Sequence, residues 1–245
     1  GAFQQVIDRH DILRTAFHWQ GLSTPAQVVR RRATLSVTEL ILDPKDGPAA
    51  EQLKRRFDPR HYRLELSEPP LLRFVIAFDT EHRRWLLLQV LHHLIGDHST
   101  LEILHEEVSA FLDGRGAALT ASPPYRHLIA AARLGVPAEE HERFFRERLG
   151  DIEEPTAPFG LSNVHVDGGD VTEARRLVPQ RLNEQLRAQA RRLGVSVASL
   201  CHLAWGQVLA RTPGRDTVVF GTVLFGRMQA DAGMGLFINT LPLRL

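Results

Sequence analysis

The chain has 245 residues, 43% of them hydrophobic and 24% charged, a globular composition long enough for one large domain or two small ones. Thirty basic and 29 acidic residues leave a formal net charge of +1, which argues against a nucleic-acid groove, and the single cysteine, Cys201, excludes an intramolecular disulfide and a Cys-rich zinc site. No stretch reaches about 18 consecutive apolar residues, and Asp8 and Arg9 stand where an export signal would be apolar, so a reducing, cytoplasmic setting is expected.

In chain order, a short helix ends near His10, and LRTAFHW and AQVVR follow as extended segments around the turn-rich GLSTPA. The run Arg30, Arg31, Arg32 reads as a solvated strand end. LSVTELIL is a further strand and PAAEQLKRRF an exposed helix. LLRFVIAF and RWLLLQVL then form a hairpin around the polar turn DTEHR. Leu101, Leu104, Val108, Phe111 and Leu112 recur at three and four residues, one face of a helix. Ser99 and Glu102 offer its capping box and Gly114 its stop. Helices are predicted at 125–134 and 138–149. The stretch DIEEPTAPFGLSNVHVDGGD, rich in Pro, Gly and acidic residues, reads as a crossing between lobes. After it come a strand over 173–178, helices over 182–193 and 197–210, and the strands DTVVFGTVLF and GLFINTLPLRL. GVSVA is a near-miss to G-x-S-x-G and reads as a helix start. Phe3, Val6 and Ile7 already hold helical spacing at the first residues, and LPLRL stops within an apolar run, so a fragment of something longer is expected.

The hairpin leads straight into LHHLIGDHSTL at 91–101, which puts His92, His93, Asp97 and His98 in one strand-to-helix connection. Three readings compete. His93, Asp97 and His98 match three positions of H-x-H-x-D-H, but Ile95 stands at the fourth, which leaves a zinc site short of a ligand. The polar residues could instead serve only the turn. The third reading is acid/base chemistry: loops held by rigid elements commonly carry it, and Gly96 marks a tight one. Consecutive residues leaving a strand point to opposite faces, so one histidine is expected in a cavity and the other as support, with Asp97 holding the loop or a histidine.

HHLIGD resembles the HHxxxDG motif of the condensation domains of nonribosomal peptide synthetases. RHDILRTAF at 9–17 is similar to that family's second block, FGTVLFGR at 220–227 to its strand ending in Ser-Gly-Arg, and MGLFINTLPLR at 234–244 to its IGxFVNTLxLR block. PYRHLIAAA matches the fourth block at Tyr125 and loosely at its apolar positions. The resemblance implies an α/β fold of two chloramphenicol-acetyltransferase-like lobes in a V around a tunnel. Residues 1–155 would be the N-terminal lobe without its first block, 156–170 the crossing linker, and 171–245 the first part of the C-terminal lobe. It implies His93 as the catalytic residue, His92 as structural neighbour, and Asp97 paired with Arg227 across the lobe junction. Arg14 would be structural, and Asn239 would help shape the tunnel. Two departures stand out: His98 occupies the glycine position, and Phe225 replaces the serine before Gly226 and Arg227, where it would narrow the cavity.

The implied reaction joins a donor acyl thioester to the amine of an acceptor aminoacyl thioester, both on phosphopantetheine arms of peptidyl carrier proteins, with an adenylation domain adjacent in a larger chain. No metal, nucleotide or flavin is called for. An epimerisation domain, a CoA-dependent acyltransferase and an inactive fragment or docking scaffold are the alternatives.

Overall fold

The computed structural model describes residues 1–161, 172–225 and 233–245. It divides into two compact units, Gly1–Gly135 with Phe225–Ile238, and Val136–Leu224 with Asn239–Leu245. This division by contact is not the one at 155 and 171 that the resemblance suggests, because the chain leaves the first unit after Gly135 and rejoins it at Phe225.

In the first unit, α1 (Ala2–Arg9) buries Val6 and Ile7, and a short 3₁₀ turn then buries Ile12 and Leu13. β1 (Thr15–His18) pairs antiparallel with β2 (Ala26–Val29), and Arg30, Arg31 and Arg32 are exposed just beyond it. β3 (Val37–Leu40) runs parallel to β4 (Leu72–Asp79), which pairs antiparallel with β5 (Arg84–Leu91). The central place of β4 accounts for its nearly continuous apolar run, since such a strand is covered on both faces. Leu72 and Phe74 enter the main core with Val6, Ile7, Ile95 and Leu104, while Val75 and Ala77 pack with Leu53 of α2 (Ala49–Arg56). α3 (His98–Leu112) lies against α1 and ends just before Gly114, and α4 (Tyr125–Leu134) closes the continuous part of the unit.

A polar tie joins these helices. Arg9 Nε donates to Glu107 Oε2 at 3.1 Å, His10 Nε2 donates to the same oxygen at 2.9 Å, and Ser122 Oγ lies 2.9 Å from the other ring nitrogen of His10. Burial alone pushes the Glu107 carboxyl up, but the hydrogen bonds and charges of His10 and Arg9 outweigh it and hold the group below the usual carboxylate range. A folded-state pKa below the unfolded one contributes stability above the unfolded pKa and loses it as the pH falls through the folded pKa. Glu107→Gln is therefore expected to lower the melting temperature most at neutral pH. The gap to the parent protein should close below about pH 4. Melting curves at five or six pH values check this, and a pH-independent gap contradicts it.

The second unit holds α5 (Ala138–Leu149), α6 (Gln180–Leu193), α7 (Val197–Arg211) and most of the paired strands β6 (Val219–Phe225) and β7 (Ile238–Arg244). Arg244 forks onto Asp151 at 2.6 and 2.7 Å, which ties β7 to the end of α5. The serine of GVSVA is committed to helix formation: Ser196 caps α7 by accepting the Ser199 N–H at 3.0 Å. The strand predicted over 173–178 is not formed. Those residues are exposed coil, and no described residue lends them the ladder an isolated extended segment needs. The crossing predicted at 156–170 lies partly outside the described residues. No single helix among the described residues is long and apolar enough to cross a membrane.

Candidate functional site

β5 ends at Leu91, and a 3₁₀ turn over His93–Ile95 carries the chain into α3. This turn sends three groups in three directions. His92 stays with the backbone, its Nδ1 accepting the Leu94 N–H at 3.1 Å. Burial, and then the nearby charge of His93, push its pKa below the ordinary histidine value, so the ring stays neutral near neutral pH. Ile95 goes into the core and is fully buried. It occupies the position that a fourth metal ligand would need. His93 is exposed to the cavity side, and its Nδ1 lies 2.8 Å from the Gly96 carbonyl oxygen. A carbonyl only accepts, so Nδ1 carries the proton, and Nε2 of the neutral ring keeps its lone pair.

The loop that presents His93 is sealed by the helix start. Asp97, almost fully buried, is the N-cap of α3: its Oδ1 accepts the Thr100 N–H at 3.1 Å, while its own N–H donates to Thr100 Oγ1 at 3.4 Å. The capping box is thus Asp97 with Thr100, not the predicted Ser99 with Glu102. Both pairs fit the three-residue spacing, and tertiary contact selects between them. Thr100 is fully buried, and its hydroxyl donates to the Gly235 carbonyl at 3.0 Å and accepts the Gly235 N–H at 3.1 Å. Asp97 Oδ2 accepts the Phe237 N–H at 3.3 Å. The MGLF segment is therefore stitched onto the histidine loop.

Two glycines are needed here for space. Gly96 has extended backbone, but a Cβ on it would lie 2.6 Å from Thr100 Cγ2. A Cβ on Gly235, whose φ is +156°, would lie 2.5 Å from Cε2 of Tyr125. Tyr125 is itself buried, and burial followed by the Asp97 charge raises its pKa above the ordinary tyrosine value. Gly96→Ala is expected to cost about 1–3 kcal/mol through this overpacking, read from the urea midpoint at unchanged slope.

The other predicted residues are placed as follows. His98 opens α3 with helical backbone and exposed side chain, its Nε2 3.4 Å from Glu102 Oε1, so its glycine-equivalent position demands no left-handed conformation. Arg14 bonds Asp11 Oδ1 at 2.9 Å and the Arg30 carbonyl, which fastens the β1–β2 pair. Asn239 is exposed on β7, its Oδ1 accepting the Thr240 N–H at 2.9 Å. Phe225 ends β6. Arg227, and with it the expected pairing to Asp97, lies outside the described residues.

A cavity of about 580 Å³ opens in front of His93. Gln89 and Leu91 of β5 line one wall, and His98, Leu101 and His105 of α3 line the other, with Gly96 and Asp97 between. Sequence reading missed Gln89, His105, Thr100 and Gly235. The first two were detectable in principle: 89 and 91 share the strand face that leads into the histidine turn, and 98, 101 and 105 share one helix stripe.

Residues 1–245 match the family described as the condensation domain. Malpinin synthetase of Mortierella alpina is 62% identical over 248 residues, covering 100% of this chain and 3% of that protein. A linear gramicidin synthase of Brevibacillus parabrevis is 33% identical over 260 residues, again across 100% of this chain and 5% of that protein. The chain thus spans only a few percent of these curated relatives. Among solved structures, the first condensation domain of the CDA synthetase superposes with a TM-score of 0.73 at 20% identity, over 100% of this chain and 60% of that one. The condensation domain of the Monacolin K polyketide synthase gives 0.72 at 22%, over 99% and 58%. These likenesses establish the mixed α/β, chloramphenicol-acetyltransferase-like fold. With the histidine loop, its seal and the whole-length family match in hand, the chain belongs to the condensation-domain family of nonribosomal peptide synthetases, enzymes whose reaction is amide-bond formation.

Proposed function

We propose that this chain joins a donor acyl thioester to the amine of an acceptor aminoacyl thioester, each on the phosphopantetheine arm of a carrier protein, with His93 as the catalytic residue. The observation that carries the reading is the 2.8 Å contact of His93 Nδ1 with the Gly96 carbonyl, which leaves Nε2 as the ring's lone-pair nitrogen beside the cavity. In the proposed step the acceptor nitrogen attacks the thioester carbonyl carbon while Nε2 takes the amine proton. The tetrahedral adduct collapses, the C–S bond breaks, and the proton passes to the leaving thiolate. A thioester is already activated, so alignment of the two arms and a placed base account for most of the acceleration.

His92, Gly96 and Asp97 are support in this reading: His92 braces the turn, Gly96 fixes the catalytic ring, and Asp97, with Arg227 as a further partner, holds the loop. His98 would shape the cavity it lines, and Phe225 and Asn239 keep the cavity-narrowing and tunnel-shaping roles that the family resemblance implies. Donor and acceptor carrier proteins and a neighbouring adenylation domain are the proposed partners, in a reducing cytoplasmic compartment. The test is the intact mass of a loaded acceptor carrier protein after incubation with a donor-loaded carrier and the natural-length protein. A gain equal to the donor acyl group supports the reading. No gain with both carriers loaded contradicts it, and α-carbon exchange in deuterated water would then point to epimerisation.

A further inference from the structure

We infer that Gln89, anchored by His105, is a specificity-determining residue that reads a hydrogen-bond acceptor on the substrate's side chain in the His93 cavity; the kind of ligand rests on the amide-forming reading above. Gln89 shares a face of β5 with Leu91 and lines the same cavity as His93, and its carboxamide Oε1 lies 3.0 Å from His105 Nε2 on α3. A carboxamide oxygen only accepts, so His105 donates this bond and fixes which way round the amide lies. The amide nitrogen is consequently held on the other side. Gln89 Nε2 is shut off from water and has no hydrogen-bond partner among the described residues.

An unmade bond at a buried donor is costly, and native proteins keep few of them. A hydrophobic residue at 89 would fit a strand between Leu87 and Leu91 without that cost. The donor therefore has a use that the protein alone does not show, and the cavity wall in which Gln89 stands supplies it. The terminal torsion of glutamine is soft, so the amide can turn its N–H toward an oxygen of a ligand in the cavity that Gln89 lines. Leu91 and Leu101 beside it are apolar, and the polar groups elsewhere in the lining belong to His93, Asp97, His98 and His105, so among the described residues Gln89 is the one carboxamide donor of the cavity. A site built to hydrogen-bond an oxygen discriminates sharply against the analogue that lacks it.

The test uses unreactive ligands, so that it does not depend on turnover. Amino-pantetheine amides of threonine and valine, and of asparagine and leucine, form two matched pairs, and their dissociation constants are measured with the natural-length protein and its Gln89→Leu variant. The expected result is roughly tenfold tighter binding of the oxygen-bearing member in at least one pair. That preference should fall to within about twofold in Gln89→Leu, with the apolar member bound equally well or better. If Gln89→Leu does not fold, His105→Leu, a change at an exposed side chain, is expected to cut the same preference at least threefold. Equal affinities within both pairs for the parent protein, no binding of any of the four, or a preference that survives both substitutions overturns the inference. A selective protein that transfers no acyl group between loaded carriers would leave Gln89 as the reader and sink the amide-forming reading instead.

Discussion

His93→Ala is expected to slow acyl transfer between loaded carrier proteins by about 10²- to 10⁴-fold, the range a positioned base contributes. Its folded state should be nearly unchanged. The side chain is exposed and is tied to the protein through the Nδ1 bond to Gly96, so removal strips a lone pair from the cavity and little packing from the core. Single-turnover rates measured with saturating loaded carriers isolate the chemical step from docking. A melting temperature within a degree or two of the parent protein, beside the lost rate, locates the effect at the reacting atoms. Asparagine at this position makes a useful contrast, since it can keep a donor toward Gly96 but supplies no basic nitrogen. Normal rates in His93→Ala would remove the histidine from the chemistry and leave the cavity as a positioning device alone.

Asp97→Ala is the most destabilising of the single substitutions considered, with an expected loss of about 2–4 kcal/mol. Losing the N-cap of α3 accounts for about 1 kcal/mol, and taking the acceptor from the Phe237 N–H adds about 1–3 kcal/mol. Asp97→Asn should fall between the two, because asparagine caps helices as well as aspartate does but brings no charge. Urea unfolding of the three proteins checks the order aspartate, asparagine, alanine. A loss under about 0.5 kcal/mol in the alanine variant would mean that the loop is held by its other contacts. Acyl transfer by whatever fraction remains folded should be impaired too, since Asp97 lies one residue from the carbonyl that orients His93.

The parts of the fold that were legible in the sequence are those dictated by local periodicity. α3 falls where the three- and four-residue spacing of Leu101 to Leu112 put it, α4 and α5 match the helices expected at 125–134 and 138–149, and the β4–β5 hairpin follows from two apolar runs around DTEHR. Failure came where an element depends on a distant partner. The pattern at 173–178 is strand-like, yet no described neighbour pairs with it. Ser99 with Glu102 and Asp97 with Thr100 both satisfy the capping spacing, and what separates them is Gly235, far along the chain. For the site, the histidines announced themselves by clustering. Gln89 and His105 did not, because only the facing of a strand against a helix brings them together.

The stitch between Thr100 and Gly235 also bears on how the protein is made. Its two residues are 135 positions apart, so the histidine loop cannot take its final form until the ribosome has added that many residues. At about 5–20 residues per second this is a wait of roughly 7–27 s. During it the nascent chain carries α3 with its buried cap donors and acceptors still open to water, alongside an unfinished core that lacks Met234. Contacts of such long sequence separation form slowly and late. The histidine loop is therefore among the last features of its unit to be completed, and a pause or truncation before residue 235 would yield a chain with both histidines but without the Gly235 contact that seals their loop.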